Sequence, residues 1–453
     1  MKSLPAKFTE RIQNQFPGYW QNLIDALNSE PPVSIRINKN KLSQIPTKYK
    51  QVPWSSSGIY LPERPLFTLD PLFHAGVYYP QEAGSMVIEY IAHKLSDKFE
   101  QPPKYILDAA SAPGGKTLIL SDIFAQSIIF ANEIISKRAN ILTDNIAKWG
   151  AENVVITNND TAHYHQLEGV FDIVLLDAPC SGEGMFRKDM NARNEWSVEN
   201  TSLCVERQSD ILQNILPLIK ENGYLIYSTC TFNPDENEQL MQKVLPAKGF
   251  EFVPFDELQE FGIEKVENEL GYQFLPGKVE SEGFFLSVWK NTNPNQRKEN
   301  KKKSKKDINL SVKLNFPLQK DKKTYLLNDE IYAIPKDLDE SLLINLNAKY
   351  AGVKLGKLIK NKFKPAAESV FYNSFKNQFP IIELAYTNAI QYLKGNTNFP
   401  LPEKTTKGYY TVTYKNHPLG LIHSLGNRFN NLYPKPWRIK MHIPENQKEN
   451  FLF

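Results

Sequence analysis

The chain has 453 residues and a formal net charge of +4, with 41% hydrophobic and 23% charged residues. This length predicts two or three domains, while a count of only three cysteines excludes a disulfide-stapled scaffold and indicates a reducing compartment. The small net charge excludes polyanion binding by overall charge, so a nucleic acid would have to bind at local basic patches. The N-terminal residues lack a signal-peptide core and no stretch reaches about 18 apolar residues, so we expect a cytoplasmic protein outside the membrane.

Residues 1–75 are predicted to form a small α+β domain that caps the next one. Apolar residues recur at helical spacing as far as Leu27, where a pair of prolines follows. The segment 33–38 then alternates like a strand, with Arg36 on its polar face. The alternative is that Arg36 faces a substrate.

Residues 76–292 alternate predicted strands and helices, which is the pattern of a doubly wound, mostly parallel α/β sheet. Gln81 and Glu82 lead into a helix that is predicted to reach Ile91, and these two side chains either contact a cofactor or cap that helix. After a first strand that ends at Asp108, the further strands are predicted at 128–131, 154–156, 171–176 and 223–228.

A turn of small residues lies between this first strand and a helix start. Backbone N–H groups of such a turn can approach a ligand closely. A P-loop is excluded because Ala110 stands where its first glycine is required, and the dinucleotide motif G-x-G-x-x-G is absent. The turn favours a nucleoside with an uncharged tail, such as S-adenosylmethionine, over mere tight packing of strand on helix. The residues expected to bind it are Ala110, Ser111, Ala112, Pro113, Gly114, Gly115 and Lys116.

Three acids follow successive predicted strands, at the carboxyl edge of the sheet, where open α/β proteins bind their ligands. They are Glu133, Asp160 and Asp177. We expect Glu133 to accept hydrogen bonds from ribose hydroxyls and Asp160 to meet an adenine amine. A single acid of this kind is a common loop residue, but three in register indicate a nucleoside site.

Two cysteines also lie just beyond predicted strand ends, Cys180 in Asp177-Ala-Pro-Cys and Cys230 in Ser-Thr-Cys. If the two strands are neighbours, both thiols and Asp177 share one crevice. Cysteine is also a common buried residue. That explanation suits Cys204, at the start of the helix predicted over 204–220.

An acid and two thiols beside a methyl donor suit methylation of a pyrimidine at C5. C5 is a poor nucleophile, and a thiolate that adds to C6 turns the ring into an enamine whose C5 can take a methyl group. A carboxyl group at N3 of cytosine, here Asp177, stabilises the addition, and a base must then remove the C5 proton to expel the enzyme. This chemistry alone leaves the roles of Cys180 and Cys230 exchangeable.

Three motifs resemble the Sun family of RNA (cytosine-5) methyltransferases, and the resemblance covers about residues 1–290. The motifs are Asp-Ala-Ala-Ser-Ala-Pro-Gly-Gly-Lys-Thr, Leu-Asp-Ala-Pro-Cys-Ser-Gly-Glu-Gly and Ser-Thr-Cys-Thr-Phe-Asn-Pro-Asp-Glu-Asn-Glu. The resemblance implies a Rossmann-like methyltransferase fold and S-adenosylmethionine as cofactor. It places the cofactor contacts on 110–116, Glu133, Asp160 and Asp177.

The same resemblance distinguishes the two thiols. In the Sun family the Thr-Cys cysteine is the nucleophile and the Pro-Cys cysteine assists product release, whereas DNA cytosine methyltransferases attack with a Pro-Cys cysteine. Carried over, Cys230 attacks C6 and Cys180 aids elimination.

Residues 293–319 are predicted to form a basic linker, with its charge concentrated at 297–306, and residues 320–453 to form a further domain. Such a run is a solvated tether or a phosphate-binding segment. The last domain resembles the C-terminal, PUA-like RNA-binding domain of the RsmF-type ribosomal RNA methyltransferases, at 352–357, 392–395, 417–420 and 431–435. Its lysines with interleaved tyrosines suit contacts to RNA backbone and bases, although packing explains some of those aromatics.

Together these features predict an S-adenosylmethionine-dependent enzyme that methylates C5 of cytidine in RNA, with 16S ribosomal RNA as the expected substrate. The same chemistry on transfer RNA is the alternative enzyme. A non-catalytic RNA-binding ribosome-assembly factor is the alternative from another class, although such a factor needs none of Asp177, Cys180 and Cys230. We expect a monomer that binds RNA and requires no metal.

Overall fold

The structure, a computed structural model, describes residues 3–294, 318–360, 362–375 and 377–443. The basic run predicted at 297–306 lies outside these residues. Within them, no helix combines the length and the apolar character that a membrane crossing requires.

The N-terminal unit contains two helices and a small antiparallel sheet. The helices are α1 (Ala6–Gln15) and α2 (Trp20–Leu27), and the sequence Pro17-Gly18 separates them because neither residue favours a helix interior. The strands β1 (Val33–Ile37), β2 (Gly58–Leu61) and β3 (Tyr78–Pro80) pair in the order β2-β1-β3, with helix α3 (Pro71–His74) before the last strand.

Arg36 on β1 is buried, with 3% of its surface exposed, so the alternative that it faces a substrate is wrong. Its guanidinium donates to Asp122 Oδ2 at 2.6 Å and lies 5.1 Å from the centre of the Trp149 ring. The polar side of this strand faces the neighbouring domain, and Asp122 and Trp149 there supply an anion and an aromatic face.

The large sheet has the predicted doubly wound form with a parallel centre, but it is a mixed sheet rather than a mostly parallel one. Its strands are β4 (Tyr105–Asp108), β5 (Ile128–Asn132), β6 (Val154–Thr157), β7 (Phe171–Asp177), β8 (Ile219–Thr229), β9 (Phe250–Phe252), β10 (Glu264–Lys265), β11 (Tyr272–Phe274) and β12 (Phe284–Asn291). Strands β8-β7-β4-β5-β6 run parallel, and β12, β11 and β10 continue the sheet antiparallel. Its helices are α4 (Val87–Ser96), α5 (Gly115–Ile123), α6 (Ser136–Trp149), α7 (Met190–Glu195), α8 (Val198–Ile215) and α9 (Glu238–Val244).

Strands β7 and β8 are neighbours, as the prediction of a shared crevice requires. Asp177 lies opposite Ser228 in the ladder, so the segments that follow the two strands leave the sheet side by side. Helix α8 begins at Val198, where the Ser197 hydroxyl accepts from the N–H of Asn200. Cys204 therefore lies within this helix, and its prediction at the helix start is wrong.

The C-terminal part contains two further four-stranded sheets. One comprises β13 (Lys322–Leu327), β14 (Glu330–Pro335), β16 (Val353–Ile359) and β17 (Lys362–Pro365), with helix α10 (Glu340–Asn345). The other comprises β18 (Ile381–Glu383), β19 (Gly408–Tyr414), β20 (His417–Ser424) and β21 (Phe429–Asn431), with helix α11 (Tyr386–Leu393). Strand β15 (Tyr350–Ala351) instead pairs with β6, so this part of the chain covers one edge of the large sheet.

Two tyrosines from the PUA-like segments belong to the core rather than to an RNA-facing surface. Tyr392 is 0% and Tyr433 is 1% exposed, and their ring centres lie 5.4 Å apart. Base stacking is excluded for these two residues. Tyr409 is only half-buried, and it stacks on His423 at 4.5 Å.

His74 couples the N-terminal unit to this core. Its Nδ1 lies 3.0 Å from Tyr433 Oη and its Nε2 lies 2.9 Å from the carbonyl oxygen of Thr68. Burial, with the nearby Lys148 charge, lowers the pKa of His74 to about 3. The unfolded chain binds this proton near pH 6.5, so stability is fully present above that pH and falls as pH drops below it.

We expect acidification to pH 5 to cost the folded protein about 2 kcal/mol through His74. His74→Gln should remove this part of the pH dependence, as measured by urea unfolding between pH 7.5 and 5. His163→Gln, at an exposed position, is the matched control. An equally steep pH dependence in wild type and His74→Gln would contradict the assignment.

Candidate active site

A cavity of about 310 Å³ opens at the carboxyl ends of β4, β7 and β8. Most of the predicted turn, Asp177 and Cys230 meet in it, whereas Glu133, Asp160 and Cys180 are not in its lining. The lining residues are Tyr79, Pro80, Gln81, Glu82, Ser85, Asp108, Ala110, Ser111, Ala112, Pro113, Gly115, Lys116, Asp177, Met185, Cys230, Glu282, Gly283 and Phe284.

The predicted cofactor turn has a shape that requires a glycine at its centre. Gly114 precedes α5 with φ at +114°, a conformation that favours glycine, and a Cβ there would lie 3.0 Å from a methyl group of Leu142. Arg138 donates to the carbonyl oxygen of Ala112 at 2.7 Å and fixes the turn from α6. Gly115, the first residue of α5, lines the cavity, and the N–H groups of a first helical turn have no partner within their own helix.

Glu133 and Asp160 follow the adjacent strands β5 and β6, beside the cavity rather than in it. Glu133 is buried and accepts from the N–H of Ile135 at 2.8 Å, and Arg138 lies 3.3 Å from its other oxygen. Asp160 is exposed and accepts from the N–H of Ala162 at 2.9 Å. A carboxylate has about four acceptor positions, so both can still bind hydroxyl or amine groups.

The two thiols predicted to share a crevice are in contact. Cys180 Sγ lies 3.2 Å from Cys230 Sγ, and the N–H of Cys230 donates to Cys180 Sγ at 3.3 Å. We call residues 178–184 the Pro-Cys loop and residues 230–237 the Thr-Cys loop. Cys230 lines the cavity, whereas Cys180 does not.

The surroundings of Cys180 keep it protonated. Its hydrogen bond with Cys230 and its burial raise the pKa of Cys180 well above the usual range. Cys180 is therefore a thiol at neutral pH, and its S–H can donate to the Cys230 sulfur. Cys204 does not line the cavity, and burial raises its pKa to about 11.

Asp177 and Lys116 form an ion pair in the cavity wall. Lys116 Nζ lies 2.7 Å from Asp177 Oδ2 and 5.2 Å from the centre of the Phe284 ring. Burial alone would lower the pKa of Lys116, but the carboxylate of Asp177 and the nearby Cys230 raise it, so Lys116 stays charged. Of the two sulfurs, that of Cys230 is the one that shares the cavity with this cation.

Asp108 is a site residue that the sequence reasoning missed. It ends β4, lines the cavity, and accepts from the Thr117 hydroxyl at 2.6 Å, while its Oδ1 has no partner in the structure. Burial raises the pKa of Asp108 to about 7. The signal was available, because Asp108 is an acid at a strand end like Asp177.

Of the two roles that the sequence left open for Gln81 and Glu82, Glu82 caps the helix and Gln81 lies where it can contact a cofactor. Glu82 accepts from the N–H groups of Gly84 and Ser85, both at 2.8 Å, so it caps the turn before α4. Gln81 is buried and lines the cavity, and its Oε1 has no partner in the structure. Gln81 therefore remains available to a ligand.

Comparison with known proteins assigns the chain to a family. Three family profiles match it: 16S rRNA methyltransferase RsmB/F over residues 99–290, the N-terminal domain of 16S rRNA methyltransferase RsmF over 4–83, and the methyltransferase RsmF PUA domain over 379–439. Ribosomal RNA small subunit methyltransferase F of Aliivibrio fischeri is 30% identical, covering 95% of this chain and 97% of that protein. The protein of the same name from Shewanella loihica is 30% identical over 86% of this chain and 83% of its own length.

Solved structures agree on the fold. A methyltransferase homolog protein from Pyrococcus horikoshii has a TM-score of 0.54 and 26% identity, covering 63% of this chain and 94% of that one. NSun6 from Pyrococcus horikoshii, solved with SFG, has a TM-score of 0.53 and 18% identity, covering 64% of this chain and 98% of that one. The predicted Sun-family resemblance is confirmed, and the chain belongs to the 16S rRNA methyltransferase RsmB/F family.

Proposed function

We propose that this chain uses S-adenosylmethionine to methylate C5 of a cytidine in 16S ribosomal RNA through a covalent bond from Cys230 to C6. The observation that carries this proposal is the cavity in which Cys230 meets the Asp177–Lys116 pair, with the Cys180 thiol 3.2 Å behind the Cys230 sulfur. The names of the relatives support 16S ribosomal RNA over transfer RNA as the substrate.

The turn 110–116 and the acids around it fit S-adenosylmethionine. A Cβ on Gly115 would lie 3.2 Å from Gln81 and Tyr79, so glycine lets these two cavity-lining side chains pack against the start of α5. The unpaired Oδ1 of Asp108 offers an acceptor for an amino group. The bound cofactor supplies an electrophilic methyl group, while Glu133 and Asp160 would hold the ribose and adenine at the adjoining sheet edge.

In the first step, the Cys230 thiolate adds to C6 of the cytosine. The added electron pair is accommodated at N3, which takes a proton shared by Asp177 and Lys116. The ring then has enamine character, and C5 becomes nucleophilic. Since Lys116 contacts Asp177 at 2.7 Å, the pair can give this proton and later recover it.

In the release step, the C6–S bond breaks and its electron pair returns to the Cys230 sulfur. Cys180 gives its S–H proton to that sulfur, and the resulting Cys180 thiolate takes the proton from C5, whose C–H electrons form the C5–C6 double bond. The raised pKa of Cys180 makes its thiolate a strong base. Cys230 then loses its proton to solvent before the next turnover.

We propose that two segments hold the RNA, the N-terminal segment 1–75 and the C-terminal segment 320–453. The first joins the catalytic segment 76–292 directly, and the second joins it through the linker 293–319. Exposed lysines on the β16–β17 hairpin support this role, since ammonium groups suit phosphate contacts. These are Lys357, Lys360, Lys362 and Lys364. We propose a monomer, since one chain supplies every residue of the site.

The test is bisulfite sequencing of 16S ribosomal RNA and transfer RNA from a strain lacking the gene and from the complemented strain. We expect loss of methylation at a cytidine of 16S ribosomal RNA and its return on complementation. Loss only in transfer RNA would establish the alternative substrate. Unchanged methylation of both would contradict the proposed reaction.

Glu133→Ala should weaken S-adenosylmethionine binding by about 1–3 kcal/mol, the range for losing hydrogen bonds to a charged group. Isothermal titration calorimetry measures this loss directly. Glu168→Ala, at an exposed position away from the cavity lining, is the control. Equal affinities of wild type and Glu133→Ala would remove Glu133 from the cofactor site.

A further inference from the structure

The Pro-Cys loop and the Thr-Cys loop hold each other through two carboxylates, one from each loop. Glu236 of the Thr-Cys loop accepts from the N–H of Ser181 at 2.8 Å and from the Ser181 hydroxyl at 2.5 Å. In return, Glu183 of the Pro-Cys loop accepts from the N–H of Phe232 at 3.1 Å. Each of the two loops therefore contributes a carboxylate that accepts hydrogen bonds from the opposite loop.

Both carboxylates are fully buried, with 0% of either residue exposed. Gln208 Nε2 donates to Glu236 at 3.1 Å, while the Trp196 indole donates to Glu183 at 2.8 Å and Arg11 forms an ion pair with it. A buried carboxylate that loses its donors is strongly disfavoured. These contacts consequently hold the two loops in one arrangement.

This arrangement determines where the thiols lie. The N–H of Gly184 donates to the carbonyl oxygen of Cys230 at 2.8 Å, and the Ser181 hydroxyl lies 2.9 Å from that of Thr231. Cys180 directly precedes Ser181, so the bond from Ser181 to Glu236 fixes the backbone beside the Cys180 sulfur. The negative charge of Glu236 also contributes to the raised pKa of Cys180.

We propose that Glu236 is a positioning residue for product release, because its hydrogen bonds with Ser181 keep the Cys180 thiol in contact with the Cys230 sulfur. The inference rests on the proposed function and adds a residue that acts through Cys180. Glu236 is not part of the cavity lining, so it acts on neither substrate nor cofactor directly. Glu183 holds the same two loops from the opposite side.

The test uses Glu236→Gln in the full chain, because glutamine keeps the size but replaces with an NH₂ group one of the two oxygens that accept from Ser181. We expect the covalent adduct between enzyme and methylated RNA to rise about tenfold over wild type on a denaturing gel, the scale of one hydrogen bond to a charged group. S-adenosylmethionine affinity and methyl transfer in the first turnover should stay unchanged, because attack does not use Cys180.

A second variant approaches the same contact from the other loop. Ser181→Ala removes the hydroxyl that donates to Glu236, and it should also accumulate adduct. The double variant should accumulate no more adduct than Glu236→Gln alone, since both changes break one contact. The matched control is Asp235→Asn, an exposed carboxylate next to Glu236 in the chain, which should behave as wild type.

Cys180→Ala on the same gel separates failure of this inference from failure of the proposed function. If Cys180→Ala accumulates adduct while Glu236→Gln and Ser181→Ala stay at the wild-type level, the positioning role is overturned and the proposed function stands. If even Cys180→Ala forms no adduct, the covalent route fails and the inference fails with it. If Glu236→Gln does not fold, Ser181→Ala decides between these outcomes.

Discussion

Cys180→Ala is expected to remain covalently attached to methylated RNA, whereas Cys230→Ala is expected to give neither adduct nor product. Without Cys230 no bond to C6 forms, and methyl transfer should fall by up to about 10⁶-fold, the scale for losing a catalytic nucleophile. Without Cys180, attack and methylation proceed, but the departing sulfur has lost the thiol that lies 3.2 Å away. A denaturing gel with labelled RNA distinguishes the two variants.

Cys204→Ala is the control for this pair, because Cys204 lies on α8 outside the cavity lining and its loss should leave both readouts unchanged. An adduct with Cys230→Ala and none with Cys180→Ala would reverse the two roles and match the arrangement in DNA cytosine methyltransferases. The absence of adduct from both variants would leave the covalent route unsupported.

Lys116→Met is expected to reduce methyl transfer by about 10²–10⁴-fold, the range for losing general acid–base help. Lys116 is the cation that pairs with Asp177 and shares the cavity with Cys230, so its loss removes the proton source for N3. Asp177→Asn should cause a similar loss. Single-turnover methyl transfer with labelled cofactor measures both variants.

The double variant should be little worse than either single variant, because Lys116 and Asp177 act as one pair. Lys94→Met is the matched control: Lys94 forms an exposed ion pair with Glu257, where contributions are small, so activity should stay near wild type. Additive losses in the double variant would show that the two groups work independently and would contradict the shared-proton role.

The meeting of Asp177, Cys180 and Cys230 could be predicted because it depends on one general property of the fold. Parallel strands end at the same sheet edge, and the buried apolar runs before Asp177 and Cys230 marked both strands clearly. The adjacency of β7 and β8 then placed the thiols together. Asp108, which ends β4 and lines the cavity, follows the same rule.

Contacts between distant segments could not be predicted in this way. Alternation along β1 showed that Arg36 is polar-facing, but not that Asp122 lies there to bury it. Likewise, spacing could not show that Tyr392 and Tyr433 pack on each other, because exposed and buried tyrosines look alike in a sequence. Strand β15 is too short to give a periodic signal, so its pairing with β6 was also missed.

The carboxylates of the two loops belong to this second class. Glu183 and Glu236 could be read in the sequence as acids near cysteines, but each binds the other loop rather than its own. That exchange depends on the register of β7 against β8, which brings the loops into contact. Positions at strand ends are therefore predictable, whereas partners across loops require the assembled sheet.

The most direct test of the central claim is to identify the cysteine that bonds to the RNA in the wild-type enzyme. RNA with 5-fluorocytidine in place of cytidine should trap the adduct, because no base can remove fluorine from C5 as it removes a proton. After digestion with nuclease and protease, tandem mass spectrometry should find the methylated fluorinated nucleotide on the peptide that contains Cys230. The same nucleotide on the Cys180 peptide, or no modified cysteine in the presence of S-adenosylmethionine, would contradict the account.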